Sequence, residues 1–269
     1  MEGRGERNVP RAENPGRRGL TPAEGCRVAS LIRIDLHCHS SFSDGTLAPE
    51  GVAHAMQAAG VRFAALTDHD TIDGLARFKS ALAERGIGFI SGMEWTASHP
   101  WGEVHLLAYG LPFGDLPRAD RKDGGDGVSG PRPGEDLLQS WPGRLRSGLH
   151  TAIRGAVGEP KLDSPARVIA RIHEAGALAF LAHPLAPCED LDRVGRLLAE
   201  LRRAGLDGVE ALYKPYTPDV RSSLVHLASR HGLLIAGGSD FHGNGVHGAG
   251  EPGCEISLVD WERLILALG

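Results

Sequence analysis

Short apolar runs recur along the chain, and the segments between them carry apolar residues at three- and four-residue spacing. Leu31, Ile32, Ile34 and Leu36 make the first run, which reads as a short buried strand. Further strands are predicted at 62–67, 88–92 (ending at Met93-Glu94), 104–109, 177–181, 207–212 and 233–237. Val52, Ala53, Met56 and Ala59 predict a helix that Gly60 can stop. A second helix spans about 72–85, with Leu75, Phe78 and Leu82 on its buried face. Ser164-Pro165 supplies an N-cap and a first helical residue for a helix to Ala175. Others are expected over about 191–204, from Thr217-Pro218 to His231, and over 260–268. Strands alternating with helices predict a parallel sheet with crossover helices. About seven such units fit, one fewer than a full (β/α)8 barrel.

Two stretches break the pattern. Residues 1–30 are rich in Gly, Arg, Glu and Pro without apolar periodicity and read as a disordered leader. Residues 112–162 mix Pro, Gly and charge, with one candidate helix at 142–154, and read as an insertion or reduced cap. The barrel domain is thus expected over 31–269, interrupted by 112–162.

The ends of the predicted strands carry the chemistry. His37 and His39 are one residue apart, so on a strand they project to the same side and can chelate one metal ion, with Asp44 in reach on the next loop. With 13 histidines in 269 residues, chance alone yields roughly 0.6 His-x-His pairs, so this pair is weak by itself. Recurrence strengthens it: His69, Glu94, His183, Asp240 and His242 also fall at or just past strand ends, and His105 lies near the start of its strand. Catalytic groups of barrels sit at these ends. Asp68 and Asp70 flank His69 and are expected to orient it rather than to ligate. Cys38, between two histidines, should point the other way and fill core.

Composition narrows the partners. A net charge of −5 and a pI near 6.2 argue against a broad basic face for long duplex nucleic acid, though not against a small anionic substrate. Four scattered cysteines (Cys26, Cys38, Cys188, Cys254) form neither a disulfide framework nor a zinc ribbon. No apolar run approaches membrane-spanning length and the arginine-rich start lacks an apolar signal segment, so a cytoplasmic protein without membrane association is expected.

His-x-His with a downstream Ser-Asp-Gly, Thr-Asp-His-Asp, Gly-Met-Glu, Ala-His-Pro and Ser-Asp-Phe-His together resemble the PHP (polymerase and histidinol phosphatase) superfamily, over roughly 33–111 and 163–243. The resemblance implies an α/β fold, a distorted (β/α)7 TIM-like barrel with a three-metal site at its strand ends. It implies that His37, His39, Glu94 and Asp240 hold a first metal. Glu94 would bridge to a second held by His105 and His183, and Asp44, His69 and His242 would hold a third. Six imidazoles and three carboxylates suit Mn, Fe or Zn better than Mg. Two or three divalent ions are expected, with Mn2+ first.

The expected reaction is hydrolysis of a phosphomonoester by a metal-activated hydroxide, with Glu94, Asp240 and His242 as the catalytic set. Thr-Asp-His-Asp-Thr, Gly-Met-Glu-Trp and Ser-Asp-Phe-His-Gly look most like the family branch acting on nucleoside 3',5'-bisphosphates or short 5'-phosphorylated RNA. Arg144, Arg154, Tyr213, Lys214 and His247 are the candidate substrate-binding residues, with Tyr216 beside them. His99 and His247, placed on loops near the site, are candidate proton donors. A histidinol-phosphatase-like enzyme is the alternative within the family. An amidohydrolase and a non-catalytic metal-stabilised module are the alternatives outside that reading.

Overall fold

The structure is a computed structural model that describes residues 1, 30–113, 162–188, 190–243 and 250–269. In chain order the elements are β1 (Leu31–Asp35), α1 (Pro49–Ala58), β2 (Phe63–Leu66), α2 (Leu75–Ala83), β3 (Gly88–His99) and β4 (Gly102–Tyr109). Then come α3 (Pro165–Glu174), β5 (Leu178–Leu181), α4 (Leu191–Arg203), β6 (Gly208–Glu210), α5 (Pro218–Arg230), β7 (Leu234–Ala236), β8 (Cys254–Ser257) and α6 (Leu258–Leu268). The helix starts follow local chemistry. α1, α3 and α5 begin on proline, whose fixed φ and missing N–H suit the first turn. Thr217 caps α5 by accepting from Val220 N, and Ser257 caps α6 by accepting from Asp260 N. Ser164 stands at the N-cap of α3 but makes no side-chain cap bond.

The eight strands form one sheet in the order β7-β6-β5-β4-β3-β2-β1-β8. The sheet curls until the chain just after β7 meets the chain just after β1. Leu36 N donates to Gly237 O at 3.1 Å, Asp240 N to His37 O at 2.8 Å, and His39 N to Phe241 O at 2.9 Å. The barrel is closed at that end. Aliphatic side chains from both faces of the sheet and from α3 to α6 form the main core, and a second cluster lies under α1 and α2. Within the main core the Tyr109 hydroxyl donates to Leu36 O at 2.8 Å.

Three details differ from the sequence-based expectation. β3 does not stop at Glu94 but continues to His99, and β4 returns beside it as an antiparallel hairpin partner. β4 and β5 are antiparallel as well, so the expected parallel alternation fails at these two junctions. Only residues 100 and 101 separate β3 from β4, and a parallel crossover needs about a dozen residues or more. β8, an antiparallel neighbour of β1, was not expected. The leader, the candidate helix at 142–154 and nearly all of the 112–162 insertion lie outside the described residues. Among the described residues no helix is long and apolar enough to cross a membrane.

Candidate metal centre

The closing seam of the barrel builds the first cluster. His37 and His39 leave the end of β1 fully buried and on the same side, while Cys38 between them turns away and donates its thiol to Ala65 O. Gly238 lets the two segments approach: a Cβ there would stand 2.6 Å from His37 N and 2.9 Å from its Cα. Just beyond it, Asp240 adopts φ 55°, a left-handed conformation uncommon outside glycine, and projects its carboxylate between the two imidazoles. Two other residues of the pocket share positive φ, Asp70 at 52° and His183 at 22°. Such conformations persist only where surrounding contacts hold them.

Glu94 lies in mid-strand and is almost fully buried, yet all of the pocket turns toward it. Its Oε2 stands 3.1 Å from Nε2 of both His37 and His39. Asp240 Oδ1 stands 3.3 and 3.2 Å from the same two nitrogens. Four donors bonded to one ion at about 2.1 Å would be separated by about 3.0 Å in an octahedron or about 3.4 Å in a tetrahedron. These distances fall in that interval. Neither ring nitrogen of His39 has a hydrogen-bond partner among the described residues, because the neighbouring carboxylates are close but not aligned with it. A fully buried imidazole so placed beside two carboxylates needs a positive charge to share with them, either a metal cation or a second proton of its own. The residues fit divalent metal.

The other Glu94 oxygen faces a second set. Oε1 is 2.8 Å from His105 Nδ1 and 3.1 Å from His183 Nε2. The hairpin register explains His105: it lies opposite Thr96, two residues from Glu94 and therefore on the same face. His69 is set beside Glu94 by a continuation of the β2–β3 pairing, with Asp70 N donating to Glu94 O at 2.8 Å. Its Nδ1 is 3.4 Å from Glu94 Oε2, and its Nε2 is 3.7 Å from Asp44 Oδ2. His242 donates from Nδ1 to Asp240 O and brings Nε2 to 3.2 Å from Asp44 Oδ1. The ligand atoms group as His37, His39, Glu94 and Asp240; as His39, Asp44, His69 and His242; and as His69, Glu94 and His105.

Electrostatics follow from this crowding. Burial alone would raise Glu94, but His37 and His69 beside it and the hydrogen bonds of His105 and His183 hold its carboxyl well below the usual range. Burial pushes His37 down, and the charges of Glu210, Glu94 and Asp240 overcome it to leave the imidazole well above its ordinary value. His69 goes the other way, to about 4, because its desolvation exceeds the attraction of Glu94.

Several supporting residues escaped the sequence reading. Glu210, fully buried on β6, meets His37 Nδ1 at 3.0 Å. Asp35, fully buried at the end of β1, accepts from the backbone N–H groups of His37, Ser239 and Gly253 and from the Ser239 hydroxyl. A lone carboxylate inside an apolar strand was the signal available for both. Asp68 accepts from Ser40 N, Ser40 Oγ and Ser43 Oγ, which fixes the loop leading to Asp44 rather than His69 itself.

The Tyr213 hydroxyl donates to Asp240 Oδ2 at 2.9 Å, and its ring lies by His37 and His183. A cavity of about 370 Å³ opens beside it, lined by His183, Leu185, Ala186, Tyr213, Tyr216 and Asp240. The Lys214 ammonium instead donates to Glu251 O. His99 is not on a loop near the site: it ends β3, five residues and about 16 Å along the strand from Glu94 and on the opposite face. Its partners there are Glu200 and Trp101. Arg144, Arg154 and His247 lie outside the described residues.

Known proteins are similar to this chain in sequence and in fold. The family model described as PHP domain matches residues 35–116. The 3',5'-nucleoside bisphosphate phosphatase of Chromobacterium violaceum is 30% identical over 81% of this chain and 90% of its own. The 5'-3' exoribonuclease of Haemophilus influenzae is 30% identical over 86% of this chain and 98% of its own. A Bifidobacterium adolescentis structure assigned as a metal-dependent phosphoesterase superposes with a TM-score of 0.61 at 25% identity, covering 87% of this chain and 96% of that one.

Proposed function

Because the chain belongs to the PHP domain family, we propose that its pocket hydrolyses a phosphomonoester of a nucleotide, either a nucleoside 3',5'-bisphosphate or a short 5'-phosphorylated RNA. The chain is a hydrolase, a metal-dependent phosphoesterase acting on nucleotide-like substrates. One observation carries the metal reading: His39 is buried with both nitrogens orphaned, among carboxylate oxygens at the spacing of a coordination shell. His37, His39, Glu94 and Asp240 would hold one cation, Glu94 with His105 and His183 a second, and Asp44, His69 and His242 a third. Mn2+ is the first candidate for these nitrogen-rich sets, with Fe or Zn as alternatives. When bound, such cations neutralise phosphoryl oxygens and acidify water enough for attack near neutral pH.

The protein's own residues do the rest. Glu94 presents one oxygen to each imidazole set, which keeps the two sets in register. Tyr213 donates to one oxygen of Asp240, leaving the other turned toward His37 and His39. The edge-to-face rings of Tyr213 and Tyr216, with Leu185 and Ala186, offer an aromatic and apolar wall suited to a base or ribose next to the metal-holding groups. Residues 31–269 form one barrel domain in this reading, with 112–162 as its insertion.

The test is phosphate release from nucleoside 3',5'-bisphosphates, 5'-phosphorylated oligoribonucleotides, histidinol phosphate and a generic phosphomonoester. Chelation should abolish release and Mn2+ should restore it, with the nucleotides as the best substrates. Preference for histidinol phosphate would replace the substrate assignment. Hydrolysis of cyclic amides alone would move the chain to amidohydrolase chemistry, and inactivity with metal fully loaded would leave a structural module.

A further inference from the structure

Glu210 is a carboxylate on β6 with no exposed surface, and its hydrogen-bond partners among the described residues are two donors from different parts of the pocket. Its oxygens stand 3.0 and 3.1 Å from His37 Nδ1, and Oε2 also accepts from His183 N at 2.7 Å. We propose that Glu210 is a positioning residue for two metal-holding histidines at once, fixing His37 as the Nδ1–H tautomer and holding the backbone of His183. The inference rests on the metal-centre reading above.

The two effects have separate physical grounds. An imidazole that donates from Nδ1 presents a lone pair at Nε2, and His37 Nε2 is the atom facing Glu94 and Asp240. His183 carries φ 22°, where an L residue needs an external restraint, and its N–H bond to Glu210 supplies one. In that conformation His183 Nε2 reaches 3.1 Å from Glu94 Oε1 on the other side of the pocket. A carboxylate can accept from both donors. An isosteric amide keeps one acceptor oxygen and, in either orientation, sets an NH2 against His37 Nδ1.

Titration of metal-stripped protein with Mn2+ by calorimetry should give a 10- to 100-fold weaker affinity for Glu210→Gln than for the parent, the usual cost of losing such a support. In 15N-histidine spectra of the Zn2+-loaded protein, the Nδ1–H signature of His37 should weaken or vanish, in samples that circular dichroism shows to be folded. Should Glu210→Gln not fold, Glu210→Asp keeps the charge but is one methylene short, and the same losses are expected. Unchanged affinity and tautomer in the folded variant overturn the proposal. So does an affinity loss that merely tracks the folded fraction while the tautomer is kept. If the parent itself takes up neither Mn2+ nor Zn2+, the metal-centre reading fails first, an outcome distinct from the other two.

Discussion

In the metal-free chain burial pushes the imidazole of His39 down, but the carboxylates of Asp240 and Glu94 beside it prevail and raise it to about 9. A histidine raised on folding lends stability that is complete below its unfolded value near 6.5 and is lost as pH climbs through about 9. The metal-free protein should therefore lose thermal stability between pH 7 and pH 9.5. Divalent metal binds the neutral ring and should flatten that dependence, which melting curves with and without Mn2+ will show. A second expectation concerns His242, whose Nε2 stands 3.2 Å from Asp44. His242→Ala should cut turnover at least ~100-fold, since a ligand should matter no less than the groups that support one. The fold should survive, as the residue sits above the core at a strand end; circular dichroism alongside kinetics separates the two. Single residues were unevenly legible in the sequence. Most of the nine candidate ligands stood out because they interrupt or follow an apolar run with a metal-binding side chain; Asp44 stood out by its place on the loop after His39. Glu210 and Asp35 interrupt apolar runs too, but neither lies in a recognisable motif, and most of their partners are distant in sequence.

At the level of elements, the hairpin of β3 and β4 does what the sequence reading assigned to strand ends. Glu94 and His105 are both mid-strand and meet because Thr96 pairs with His105 and Glu94 with Leu107. Apolar runs gave the strands but not their direction, since period-two patterning is the same in parallel and antiparallel sheets. The gap was informative nonetheless, because no crossover fits between β3 and β4. Helix starts were legible from Pro165 and Pro218, whose chemistry is local. β8 was not, because four residues with two buried make too short a pattern. The tight seam between β1 and the chain after β7 yields a third expectation. Gly238→Ala would press a methyl group against the His37 backbone and should destabilise the protein by about 1–3 kcal/mol, as overpacking does. Metal affinity should fall with it. Denaturant titration of the metal-free form measures the first effect and calorimetry the second.

For the whole molecule, the curled sheet gathers residues from Asp35 to Gly253 around one pocket, while the helices pack outside. The wall of Tyr213 and Tyr216 proposed for the substrate is part of that barrel, whereas Arg144 and Arg154 fall within the proposed insertion. Deleting 112–162 should accordingly raise KM for nucleotide substrates more than it lowers bound metal. Metal analysis of the deletion protein beside its kinetics decides this, and equal loss of metal would make the segment part of the barrel.

Closure of the barrel between residues 36–39 and 237–241 has a bearing on biosynthesis. Asp240 and His242 enter the pocket from the far side of that seam, about two hundred residues after His37 in synthesis. Of the three proposed ligand sets, a ribosome-bound fragment that ends before the seam can own only Glu94, His105 and His183, because the other two need Asp240 or His242. Contacts this distant in the chain are among the last to form and the slowest. The first and third sets are thus completed only when nearly the whole barrel has left the exit tunnel.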